Sequence, residues 1–201
     1  HLPFLEEKRN LVRGMGLFAP QIPKDHGGLG LSLYQLGQIY EILGKTFYGL
    51  YVFNCQAPDA GNMEILIEHG TEYQKETFLN PLVAGKTRSC FSMTEPDYAG
   101  SNPVMMGTTA VKDGSNYIIN GHKWFTSSAD GADFAIAMVI TDPKNPNPYM
   151  RASQIIIPTE TEGFNFIRNI SVMGDEGDGW NDHAEIKYEN CIYFISCIFI
   201  N

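Results

Sequence analysis

Between Gly85 and Arg88 the spacing of apolar residues changes from one that suits helices to one that suits strands, and this limits the fold more than any single motif does. Upstream of that point the helix signals are local. Ser32 with Gln35, and Thr71 with Gln74, have the three-residue spacing of a capping box. The first predicts a helix with Leu33, Leu36, Tyr40 and Leu43 on one face, ending at Gly44; the second predicts a helix to about Leu82 with Tyr73, Phe78 and Leu82 in the core, closed by Gly85. Asp59 is expected to cap a helix from Ala60 to His69 that turns Met63, Leu66 and Ile67 inward and stops at Gly70. Leu5 to Gly14 reads as a short opening helix. The Pro and Gly residues between Phe18 and Gly30 make a tight connection; a phosphate cradle would need a Gly-Lys-Ser/Thr ending, which this loop lacks.

From Arg88 onward Val, Ile, Thr, Tyr and Phe recur with period two. Segments 89–94, 104–112, 116–120, 133–140, 152–158, 164–168 and 182–189 read as strands, separated by Asp113-Gly114, Asn120-Gly121 and the prolines Pro143, Pro146 and Pro148. The expected class is α+β: an all-helical domain over 1–86, then a small antiparallel β-barrel or sandwich over 87–190, with 191–201 as a tail.

Charge narrows the partners. With 14 basic against 23 acidic residues the net charge is −9, which argues against nucleic acid or an anionic membrane as the main partner. Four cysteines without a C-x-x-C pair and five scattered histidines point away from a disulfide framework or a metal site, and reduced thiols suit an intracellular protein. The acidic run Asp175 to Asp182 lacks the alternating oxygen ligands of a calcium loop, with Trp180 at one of those positions, and reads as a solvated turn.

The chemistry-bearing stretch is Cys90 to Ser101, taken together with Trp124-Phe125-Thr126. Strand-forming residues run into a loop with Pro96 and Gly100-Ser101, which brings hydroxyls and aromatic rings beside exposed backbone N–H groups. That combination suits a flavin: Thr94 as a hydrogen-bond donor toward the N1 and C2-oxygen edge, Thr126 toward N5, and Trp124 as a flat face against the ring. Each residue taken singly also fits a buried strand, a polar turn or a core tryptophan. Glu95 and Asp97 read as structural or solvent-facing, not as an acid–base pair.

In order and spacing, Phe91-x-Met93-Thr94-Glu95-Pro96 with Gly100-Ser101, followed by Asn120-Gly121-His122-Lys123-Trp124-Phe125-Thr126, resembles the two flavin-binding signatures of the acyl-CoA dehydrogenase family. The resemblance runs from about Leu11 to Asn190. Phe53 to Glu64 resembles the signature of the subgroup whose animal members carry a phosphotransferase-like domain upstream.

The resemblance implies FAD as cofactor, held by Phe91, Met93, Thr94, Gly100, Ser101, Trp124, Phe125 and Thr126, with Ser101 also touching the CoA portion of the substrate. It implies oxidation of an acyl-CoA thioester between Cα and Cβ to the 2-enoyl-CoA, as in fatty-acid β-oxidation. Electrons would pass to an electron-transfer flavoprotein or another acceptor, and the full-length protein would be a homo-oligomer. The compartment would be mitochondrial or peroxisomal in a eukaryote and cytoplasmic in a bacterium.

The family's base is a Glu in a C-terminal helical bundle, which is expected to be absent here, so no catalytic residue is assigned and the chain alone is expected to be inactive. The start at His1 without Met implies missing upstream sequence. The apolar stretch from Cys191 to Asn201, where the resemblance stops, is expected to be foreign to the family, as from a truncated or mis-joined reading frame. The alternative reading is a non-catalytic module that binds flavin or acyl-CoA.

Overall fold

A computed structural model describes residues 3–100, 102–175, 177, 182–194 and 198–199. The chain divides into two compact units, His1–Thr87 and Arg88–Asn201.

The first unit is helical. α1 (Pro3–Gly14) buries Leu5, Arg9 and Val12; α2 (Leu33–Leu43), α3 (Gly49–Val52) and α4 (Asp59–His69) follow. α5 (Glu72–Gln74) continues through a π turn over Lys75–Leu79 into α6 (Asn80–Val83). Both capping boxes form: Ser32 accepts from the Gln35 amide and Thr71 from the Gln74 amide, and each Gln side chain returns the bond. Each box satisfies two of the amides that a helix start leaves free.

Three details differ from expectation. Of the α2 face only Leu36 is fully buried, and Leu33 is 84% exposed. Tyr73 is likewise exposed, whereas Met63, Leu66, Phe78 and Leu82 are in the core. Asp59 is the first residue of α4, with Pro58 in the N-cap position; it is buried and accepts from Gln56 Nε2 at 2.6 Å. Periodicity identifies a face, but which part of that face is covered depends on neighbours that no local pattern names.

The second unit is a mixed sheet curled as half a barrel. Its strands are β1 (Ser89–Ser92), β2 (Thr109–Asp113), β3 (Asn116–Ser127), β4 (Phe134–Ile140), β5 (Ala152–Pro158), β6 (Phe164–Ile170), β7 (His183–Phe194) and β8 (Ile198–Phe199). The order is β6-β7-β3-β2-β4-β5-β8, with β1 paired to β4. The α+β class holds and most pairings are antiparallel as expected, but the sheet is mixed, because β1 runs parallel to β4 over Ser89–Ser92 and β2 meets β4 in parallel at Thr109 and Ile140. Hairpin signals such as Asp113-Gly114, which does join β2 to β3, report only on strands adjacent in sequence. The crossover from β1 to β2 was hidden because residues 104–108 read as strand; they are irregular.

β4 is apolar and buried along almost its whole length, as befits a central strand covered on both faces. Around it pack Cys90, Ile119, Ile155, Ile157, Ile186 and Tyr188, and each fully buried isoleucine contributes roughly 1.5–3 kcal/mol.

Asn120-Gly121 is not a turn. β3 continues through it, with a register shift against β7 between Ile119 and Gly121, and glycine is required because a Cβ at 121 would collide with the side chain of Thr108. The backbone of Cys191–Phe194 extends β7 along β3, and Ile198–Phe199 pairs with β5.

Candidate functional site

The site grows from a bulge in β3. Lys123 pairs with Ile186 and Thr126 with Ala184, so Trp124 and Phe125 together oppose Glu185 alone. Phe125 adopts φ +49°, which a non-glycine residue holds only where the surrounding structure enforces it. The bulge brings the two rings together, 4.9 Å between centroids at 60°, with Phe125 exposed and His183 beyond it at 6.5 Å. Glu185 is itself held by His122 Nε2 at 2.8 Å and Arg168 Nε at 2.7 Å, and these bonds keep its carboxyl below the usual carboxylate range, the bond from His122 foremost.

The exit of β1 is locked to this bulge. The Trp124 amide donates to the Thr94 carbonyl at 3.0 Å, and the Thr94 hydroxyl donates to the Trp124 carbonyl at 2.5 Å. The proton of Thr94 is therefore committed, and toward a ligand its hydroxyl offers lone pairs, not the donor that the sequence suggested. Gly100 returns against the same residue: a Cβ there would lie 2.9 Å from Thr94 Cγ2. Phe91 and Met93 are half-buried on one side of the β1 line, while Cys90 and Ser92 fill the core on the other.

Thr126 is 1% exposed, and among the described residues its Oγ1 has no hydrogen-bond partner. A buried hydroxyl left unpaired costs about 1–3 kcal/mol, so Thr126 is a donor that still needs an acceptor, as are Ser92 Oγ and Thr108 Oγ1 in the neighbouring segments. Of the residues singled out from sequence, Thr94 meets both Trp124, by hydrogen bonds, and Gly100, by close packing. Phe91, Met93, Phe125 and Thr126 belong to the same two segments, and Ser101 lies outside the described residues.

Sequence reasoning missed Lys123 and understated Glu95. Lys123 is 0% exposed and Glu95 4%, and their side chains meet at 2.9 Å. Lys123 Nζ also donates to the Met93 carbonyl at 2.7 Å, while Glu95 accepts from the amides of Gly107 at 2.6 Å and Thr108 at 2.9 Å. Burial alone would raise the Glu95 carboxyl; the bonds from Lys123, Thr108 and Gly107 outweigh it and hold its pKa below the ordinary value. Burial lowers the Lys123 ammonium, opposed by Glu95. One signal was available: period two places Lys123 on the same side of β3 as buried Ile119, where an unpaired ammonium is not tolerated. Asp97 is exposed, as expected. The described residues hold no group of three side chains able to ligate a metal, and no helix among them is long and apolar enough to cross a membrane.

A helical unit followed by a curled mixed sheet, with an aromatic bulge locked to the first strand, defines the amino-terminal and middle parts of one enzyme architecture. Residues 4–86 match the model of the acyl-CoA dehydrogenase N-terminal domain and residues 90–191 that of the acyl-CoA dehydrogenase middle domain. The chain belongs to the acyl-CoA dehydrogenase family.

It is 40% identical over 190 residues to acyl-CoA dehydrogenase family member 11 of Gallus gallus, covering 94% of this chain and 24% of that protein. A solved structure from Mycobacterium abscessus, described as an acyl-CoA dehydrogenase, superposes with TM-score 0.93 at 34% identity, over 99% of this chain and 49% of that one. A glutaryl-CoA dehydrogenase of Mycobacterium smegmatis in complex with FADH2 superposes with TM-score 0.75 at 26% identity, over 98% of this chain and 47% of that one. The chain thus spans about a quarter of the animal relative and about half of the solved bacterial ones.

Proposed function

We propose that this chain supplies the flavin-facing part of an FAD-dependent acyl-CoA dehydrogenase. The observation that carries the reading is the buried, unpartnered hydroxyl of Thr126, two residues beyond a tryptophan fixed to Thr94 by reciprocal hydrogen bonds. Family membership and a relative solved with FADH2 support it. When bound, FAD would supply the hydride acceptor for oxidising the Cα–Cβ bond of an acyl-CoA thioester to the 2-enoyl-CoA.

The chain's own residues would bind and orient. Trp124 offers a broad apolar face, Thr126 a donor with no competing partner, and Thr94 a hydroxyl oxygen held in place by its bond to the Trp124 carbonyl. Gly100 keeps the loop close against Thr94. We assign Ser101 to the same cofactor and to the CoA portion of the substrate.

Glu95 is not the base of this reaction, because both its oxygens are committed to Lys123 and to two backbone amides. The base therefore comes from outside the candidate site residues, and the whole protein is assigned an electron-transfer flavoprotein or comparable acceptor and a homo-oligomeric assembly. The buried thiols of Cys55, Cys90 and Cys191, none of them in a disulfide, suit a reducing, intracellular compartment.

Titration of the purified chain with FAD, followed by flavin fluorescence, tests the assignment. Trp124→Ala combined with Thr126→Ala should weaken binding at least tenfold, and unchanged binding in a folded double variant rejects it. Dye-linked oxidation of acyl-CoA by the 201-residue chain is expected to be undetectable; measurable turnover would place the base within it.

A further inference from the structure

Three segments distant in sequence meet at one buried ion pair. They are the exit of β1 (Met93 and Thr94), the lead-in to β2 (Gly107 and Thr108), and β3 at Lys123 and Trp124. Lys123 holds both neighbours of Thr94, Met93 through its carbonyl and Glu95 through its carboxylate, and Lys123 itself directly precedes Trp124. The pair therefore lies one bond behind each half of the reciprocal Thr94–Trp124 lock.

A buried ion pair is a poor way to gain stability, because desolvating both charges offsets most of their attraction, and apolar or neutral side chains of the same volume often do as well. What an apolar pair cannot do here is donate to the Met93 carbonyl or accept from the amides of Gly107 and Thr108.

We propose that Glu95 and Lys123 are positioning residues that set the Thr94–Trp124 lock, and through it the cofactor-facing groups, in a preorganised geometry. Neither touches the cofactor. The proposal rests on the flavin reading for its consequence, but the geometry it asserts exists in the cofactor-free chain and can be measured there.

The test uses the 201-residue chain with Lys123→Met and with the neutral, nearly isosteric combination Glu95→Gln with Lys123→Met. Thermal melting, FAD affinity and hydrogen exchange of the Trp124 amide by NMR are read on each. Lys123→Met alone leaves a buried carboxylate unpaired and lowers the melting temperature most. The double variant removes that charge and recovers most of the loss; its FAD affinity nevertheless stays at least tenfold below the parent, and its Trp124 amide exchanges at least tenfold faster.

A double variant with recovered melting temperature, parental FAD affinity and parental Trp124 protection overturns the proposal and leaves the pair a purely structural feature. If the parent chain binds no FAD, the flavin reading fails separately, and Trp124 exchange alone decides: faster exchange in the double variant supports positioning, and unchanged exchange overturns it. Should the double variant not fold, Glu95→Asp takes its place. One methylene shorter, Asp cannot hold Lys123 and both amides together, so faster Trp124 exchange is expected and parental exchange overturns the proposal.

Discussion

Among the described residues each unit buries one cation, and the two solve the problem differently. In the helical unit Arg9, 2% exposed, donates to the carbonyl of Tyr51 at 2.5 Å, to Asn54 Oδ1 at 3.2 Å and to the carbonyl of Gly85 at 3.5 Å. Its guanidinium lies over the rings of Tyr51 and Phe18, at 4.4 and 5.0 Å, and the carboxylate of Glu6, 37% exposed, stands off at 3.7 Å. Gly85, at φ +66°, leaves the space this needs, since a Cβ would strike the guanidinium. In the β unit Lys123 relies on a full carboxylate at 2.9 Å.

The chemistry of the two cations explains the contrast. A guanidinium is delocalised and weakly hydrated, so neutral carbonyls and ring faces satisfy it, whereas a compact ammonium needs a counter-charge. Arg9 ties the first helix to the far end of its own unit; Lys123 ties together the segments beneath the candidate site. One closes a fold and the other sets a geometry.

The largest effect that could break this contrast is loss of Lys123. Lys123→Met should cost about 3–5 kcal/mol in chemical denaturation, since it strands Glu95 as a buried charge. Arg9→Met strands buried neutral acceptors and a partly exposed Glu6 that keeps Arg13 at 2.8 Å, so it should cost less, about 2–3 kcal/mol, with FAD affinity of the folded protein unchanged. If the Arg9 variant lost FAD affinity as well, the two cations would share one role and the comparison would fail.

The same contrast decides what could be read from sequence. The capping boxes, the Met63 and Leu66 face and the Asp113-Gly114 hairpin were legible because each is written within a few residues. The residue types of the site were legible for the same reason, since Thr94 and Trp124 each lie in a short signature. The parallel pairing of β1 with β4, the reciprocal lock and the Glu95–Lys123 pair were not. The lock spans 30 positions and Arg9 reaches Gly85 across 76, so no window along the chain contains both partners. Asn120-Gly121 misled in the opposite direction: a local turn signal was overridden by the demand for space beside Thr108.

A smaller effect separates the two cations by pH. The folded pKa of Glu95 lies below its unfolded value of about 4, so its contribution is complete above that value and is lost as pH falls through the folded pKa. Stability measured in urea from about pH 5 downward should therefore decline less steeply in Glu95→Gln than in the parent. Arg9→Met should keep the parental slope, because Arg9 does not titrate there. An unchanged slope in Glu95→Gln would show that other carboxylates carry the acid sensitivity and would remove the electrostatic half of the comparison.

The smallest effects belong to the locally written features of the helical unit. Removing an N-cap hydroxyl costs about 1 kcal/mol, so Ser32→Ala and Thr71→Ala should each lower the melting temperature by a few degrees without altering FAD affinity. The two should not be equal. Gln35 is exposed and can turn to water when Ser32 loses its hydroxyl, but Gln74 is fully buried and its backbone amide would lose the Thr71 acceptor where water is scarce. Thr71→Ala should therefore be the more damaging of the pair. Equal losses would mean that water reaches the Gln74 amide in the variant, and that even the local signals of this unit are buffered in a way the Lys123 site is not.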